Sequence, residues 1–102
     1  MVKKEKLPVV WSKLAGKQLE KAYNKIKEDS YQSAEKVKAE ILQKARETGK
    51  DPERYPLDKY RKNNDGRIRA FEVYSYRVAY QVTKTEIRIL RVRHTSREPL
   101  AY

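Results

Sequence analysis

The apolar residues of this chain change their spacing once, at Gly66, and that single change limits what it can fold into. Before it they recur every three or four residues, the pattern of one stripe along a helix. After it they alternate, the pattern of one face of a strand. Ala15, Leu19, Ala22/Tyr23 and Ile26 predict a first helix running to about Glu28, with Ser12 as its N-cap. Asp29-Ser30 breaks the pattern. Ala34, Val37, Ile41/Leu42 and Ala45 then repeat it, and this second helix is expected to end with Gly49 in the left-handed C-terminal position. Two such helices joined by a few residues make an antiparallel hairpin, and both stripes need a surface to cover.

The rest of the chain supplies that surface. Leu7-Pro-Val-Val-Trp11 reads as a short strand ahead of the helices. Pro52 and Pro56 mark an extended connector, and Asn63-Asn64-Asp65-Gly66 is a turn signal. Phe71 and Val73 share one side of the strand that follows. Tyr76, Val78, Tyr80 and Val82 share one side of the next, with Arg77, Ala79 and Gln81 on the other. Thr83-Lys84-Thr85-Glu86 can turn the chain into a third strand, Ile87–Val92, before Pro99 ends regular structure. The apolar residues of that third strand fall on both faces, which fits either a central, doubly covered strand or a bulge. The expected fold class is α+β: a short N-terminal strand and a helix hairpin packed on one face of an antiparallel sheet, in one domain over residues 1–102. Arg77 and its neighbours would then be displayed on the opposite face.

Composition narrows the function. There is no Cys and one His, so no disulfide frame, thiolate chemistry or structural zinc site is expected. No apolar run reaches the roughly 20 residues that span a bilayer, and the start lacks a signal-peptide apolar stretch. The expected address is the cytoplasm, with no membrane association. The net charge of +11 draws the chain toward polyanions or an acidic partner. Residues 1–66 hold 14 Lys and 3 Arg, whereas residues 67–102 hold 7 Arg and 1 Lys. Lysines spread over helices make a solvated face, but arginines gathered on strands suit phosphate, because a guanidinium forks onto two oxygens at once.

Motifs that would fix an enzyme mechanism are missing. The three glycines stand apart at 16, 49 and 66, so there is no phosphate-binding loop, and neither a metal-ligand spacing nor a local Ser/His/Asp set is present. No cofactor or metal is expected. What remains is the arginine-rich sheet, His94 and the tyrosines.

The strings Ser75-Tyr-Arg-Val-Ala-Tyr-Gln-Val82 and Ile87-Arg-Ile-Leu-Arg-Val-Arg-His-Thr-Ser-Arg-Glu-Pro99 resemble the second half of RelE/ParE-type toxins. The Tyr55-Pro-Leu-Asp58 connector and the long hairpin fit as well, so the resemblance covers nearly the whole chain. It implies the toxin of a type II toxin–antitoxin system, held by a cognate antitoxin in a hetero-oligomer. Two activities follow from it: cleavage of mRNA on the ribosome by RelE-like members, a metal-independent endoribonuclease reaction that blocks translation, or poisoning of DNA gyrase by ParE-like members without any nuclease activity.

On the nuclease reading, which leads, the resemblance assigns Arg77 and Arg97 to the scissile phosphate and His94 or Tyr102 to proton transfer. A tyrosine serves as a base only if neighbouring cations lower its pKa, which clustered arginines would do. Arg67, Arg69, Arg91 and Arg93 are the candidate RNA or phosphate contacts, and Glu53 stands where related nucleases place a glutamate base. Two departures bear on this. RelE-like nucleases carry two lysines on the strand before Arg77, where this chain has Arg67-Ile-Arg-Ala-Phe-Glu-Val73. Strand parity also points Arg69 toward the helices and brings Glu72 onto the Arg77 face, where a phosphate would meet an acid.

Overall fold

The computed structural model describes residues 6–96 and 101–102. The elements follow the order β1 (Val9–Trp11), α1 (Lys13–Asp29), α2 (Tyr31–Lys50), β2 (Ile68–Val73), β3 (Tyr76–Val82) and β4 (Ile87–His94). The strands form one sheet in the order β1-β4-β3-β2, and both helices pack on one of its faces. The expected α+β class holds. The sheet is mixed, however, because β1 runs parallel to β4, with Val9 beside Ile87 and Trp11 beside Ile89. A three-residue strand has too little pattern to announce its partner.

Serines set the helix limits. The Ser12 hydroxyl accepts from the Ala15 amide at 3.0 Å and donates to the Leu90 carbonyl at 3.2 Å, so one side chain caps α1 and ties it to β4. Ser30 alone separates the helices, closing α1 through its N–H and capping α2 through its hydroxyl. Alanines at 15, 22, 34 and 45 are buried, and their small side chains let the helices lie close against the sheet. Ile41, Val73, Val78, Tyr80, Ile87 and Ile89 fill the layer between.

Gly49 corrects the expectation of a left-handed cap. It lies within α2, which continues to Lys50. Its role is close approach: a Cβ there would sit 2.5 Å from the Leu7 carbonyl oxygen, and the Leu7 amide donates to the Gly49 carbonyl at 2.9 Å. The segment leading into β1 therefore crosses directly over the end of α2.

The bulge alternative explains β4. Register slips between Ala79 and Tyr80, so Ala79 pairs with Arg91 while Tyr80 pairs with Ile89, leaving Leu90 as the extra residue. Ile87, Ile89 and Val92 thereby all reach the core, and Arg91 and Arg93 join Arg77 on the other face. The connector runs antiparallel along β2: the Asp58 amide donates to the Ile68 carbonyl at 2.9 Å and the Ala70 amide to the Pro56 carbonyl at 3.1 Å. This covers the free edge of β2. Asn64 holds the turn, accepting from the Gly66 amide at 3.0 Å and donating to the Ile68 carbonyl at 2.8 Å.

Candidate functional site

Arg77 does not stand on an open face. Its side chain is 12% exposed, and two carboxylates hold it. Nη2 donates to Asp58 Oδ1 at 2.9 Å, Nε donates to the same oxygen at 3.3 Å, and Nη1 donates to Glu72 Oε2 at 2.8 Å. Glu72 arrives by register, directly across from Arg77 on β2. Asp58 arrives from the connector, which folds over this half of the sheet. Its side chain is 1% exposed. Strand alternation predicts the face on which Arg77 lies, and says nothing of a distant segment that covers it.

The second oxygen of Asp58 accepts from the Tyr102 hydroxyl at 2.6 Å. Tyr102 is clasped on its backbone as well, since its N–H donates to the Tyr60 carbonyl at 2.9 Å and its carbonyl accepts from the Lys62 amide at 2.6 Å. The Arg91 guanidinium lies 3.7 Å from the centre of the Tyr102 ring, Arg61 lies 5.0 Å away, and Arg77 lies 4.8 Å from the Tyr60 ring. Asp58, Arg77, Ala79, Arg91, Arg93 and Tyr102 close on one another with no room for a water molecule between them.

The electrostatics follow from this packing. Burial works against the Arg77 charge, but the hydrogen bonds to Asp58 and Glu72 outweigh it and raise the pKa above the ordinary arginine value. Burial also raises the Tyr102 pKa, and the hydrogen bond to Asp58 adds to the shift. Arg61 and Arg77 act in the opposite sense without prevailing. The expectation that clustered cations lower this pKa is therefore reversed, because burial and then the hydrogen bond to the Asp58 carboxylate outweigh them.

His94 lies on the other face of the sheet. It pairs with Tyr76, on the helix side, and meets that ring edge-on with centroids 5.1 Å apart. Its Nδ1 faces the Ser96 amide at 3.2 Å. The bulge at Leu90 sets this parity, so the structure brings Arg77 and Tyr102 together and leaves His94 apart from them. Arg69 keeps to the helix side, as its parity requires, and donates to the Tyr55 carbonyl at 2.7 Å. Arg67 pairs with Asp65 at 2.7 Å in the turn before β2. Glu53 is exposed in the connector and does not line the Arg77 cluster. Arg97 and Pro99 fall outside the described residues. Asp58 is the residue that sequence reasoning missed. Its only signal was its place in the Tyr-Pro-Leu-Asp string, where nothing marks a carboxylate for burial.

The family model for the ParE toxin of type II toxin–antitoxin systems, parDE, matches residues 9–99. The chain belongs to the ParE toxin family. This ParE-family chain is thus the toxin component of a type II toxin–antitoxin system, and its partner is an antitoxin. Its fold is similar to a chain from the chromosomal ParDE toxin–antitoxin system of P. aeruginosa, with a TM-score of 0.69 at 17% identity, over 88% of this toxin and 97% of that chain. No curated protein matches it. Among the described residues of the toxin, no helix is long and apolar enough to cross a membrane.

Proposed function

We propose that this toxin acts by binding a target protein rather than by cutting mRNA, and that DNA gyrase is that target. The observation that carries the reading is the carboxylate cage around Arg77. A catalytic arginine must offer its fork to a phosphate, and here three of the five N–H donors are taken by Asp58 and Glu72. Asp58 and Glu72 already match the charge of the guanidinium, so its fork is not offered to a scissile phosphate.

The proton-transfer groups give further support. Tyr102 has its proton committed to Asp58, and its pKa is raised rather than lowered. His94 lies across the sheet from Arg77. The strand lysines of RelE-like nucleases are also missing.

Induction of the toxin in bacteria, with plasmid supercoiling and mRNA 5′ ends read in parallel, tests the proposal. The expected result is loss of negative supercoiling with no new mRNA ends. New ends within ribosome-bound messages, with supercoiling intact, would replace it with the ribosome-dependent nuclease.

A further inference from the structure

Among the described residues, Asn63, Gly66 and Tyr74 take positive φ. Asn and Gly accept that left-handed region readily, and both serve the turn before β2. Tyr74 is of another kind. It is the first residue of the two-residue turn between β2 and β3, with φ 54°. A bulky side chain strains the backbone there, where glycine would not. Nothing in the fold offsets that strain. Val73 and Tyr76 on either side of the turn are 1% and 9% exposed and pack into the core, whereas Tyr74 is 58% exposed. Among the described residues its hydroxyl makes no hydrogen bond, and its ring meets only the Lys36 ammonium, 5.9 Å from the centroid. An exposed contact of that kind is weak. Tyr31, which opens α2, is 57% exposed and lies about 7.5 Å from Lys36 along the helix axis. The Lys27 ammonium lies 5.9 Å from its ring centroid. One end of the molecule therefore carries two outward tyrosines, each beside a lysine.

We propose that Tyr74 anchors the toxin to its protein target. Its ring enters an apolar pocket on that protein, Lys36 meets an acidic group at the pocket's rim, and Tyr31 makes a second contact. The inference rests on the gyrase reading above and names the surface that meets the enzyme. A tyrosine offers a large, rigid contact area at the cost of few frozen torsions, and such side chains dominate the energetics of interfaces. The strained turn holds the ring outward before any partner arrives, so little ordering is left to the moment of binding. The setting favours a protein pocket over nucleic acid. Single strands are held by several stacked aromatics along a cationic groove. Tyr74 instead stands on the convex tip of a turn, two residues from the exposed carboxylate of Glu72.

The test compares the full-length toxin with Tyr74→Gly and Tyr74→Phe, reading melting temperature, affinity for purified gyrase and toxicity on induction. Tyr74→Gly should melt about 4–8 °C higher, because glycine relieves the turn. It should nevertheless bind gyrase at least about 30-fold more weakly and lose toxicity. Tyr74→Phe keeps the ring and should stay within about fivefold of the unaltered toxin, the worth of one neutral hydrogen bond. A Tyr74→Gly toxin that binds gyrase with full affinity and stays fully toxic would overturn the inference. So would a melting temperature that fails to rise, since Tyr74 would then be bracing the fold. A single-stranded oligonucleotide whose binding falls in Tyr74→Gly, with gyrase binding intact, would also overturn it. Unaltered toxin that does not bind gyrase at all would instead overturn the gyrase reading, and with it the partner named here.

Discussion

Asp58 carries more of this structure than its place in a loop suggests. It accepts two hydrogen bonds from Arg77, one from Tyr102 and one from the Tyr60 amide at 3.1 Å. Removing Arg77 leaves that buried carboxylate without its counter-charge. Arg77→Ala should cost about 3–5 kcal/mol in stability, measurable by urea unfolding. A loss below about 1 kcal/mol would mean that the cage is not a brace. A loss of toxicity in this variant alone therefore says nothing about catalysis, because the substitution also strands a buried carboxylate. The tyrosines predict a pH limit. Burial raises the Tyr80 pKa from 10.0 to about 12, and Tyr102 shifts in the same direction. An acid whose pKa is raised by folding lends stability that is complete below its unfolded value and fades as pH climbs toward the folded one. Unfolding free energy should be independent of these two groups below pH 10 and fall between 10 and 12, the fall shrinking in Tyr80→Phe. An equal fall in that variant would contradict the assignment.

At the scale of elements, the helices and strands were legible because their apolar periods differ, and the turn at Asn63–Gly66 was legible because its residues favour left-handed backbone. Asn63 and Gly66 both take positive φ. What pattern could not supply was anything depending on a distant neighbour. The parallel pairing of β1, the bulge that sorts Arg91 and Arg93 from His94, and the connector lying over Arg77 are all long-range. Gly49 is the clearest case: its sequence position suggests a cap, while its actual duty is the crossing of Leu7 over α2. Gly49→Ala should therefore destabilise the fold by about 1–3 kcal/mol through a backbone clash, rather than by less than 1 kcal/mol as an open helix site would allow. Thermal unfolding of the variant separates the two. Gly16, in α1 with open space where its Cβ would lie, is the internal control, and Gly16→Ala should stabilise slightly.

For the whole molecule, the excess of basic charge has a kinetic meaning. Association with an acidic antitoxin should slow as salt rises, because steering acts over distances that salt screens. Stopped-flow rates that do not change between low and physiological ionic strength would remove steering from the account. The candidate site was half legible. Arg77 and Tyr102 converge as the resemblance implied, yet a buried acid stands where a substrate phosphate was expected, so the same residues support a brace rather than a reaction centre. That reversal is the central claim, and one variant addresses it without stranding a charge. Asp58→Asn combined with Arg77→Met removes both members of the buried pair while leaving an oxygen for the Tyr102 hydroxyl, a kind of replacement that is often nearly neutral to stability. The measurement is toxicity on induction, with folding checked by circular dichroism. The account predicts a folded double variant that remains toxic; a folded double variant that has lost toxicity would contradict it.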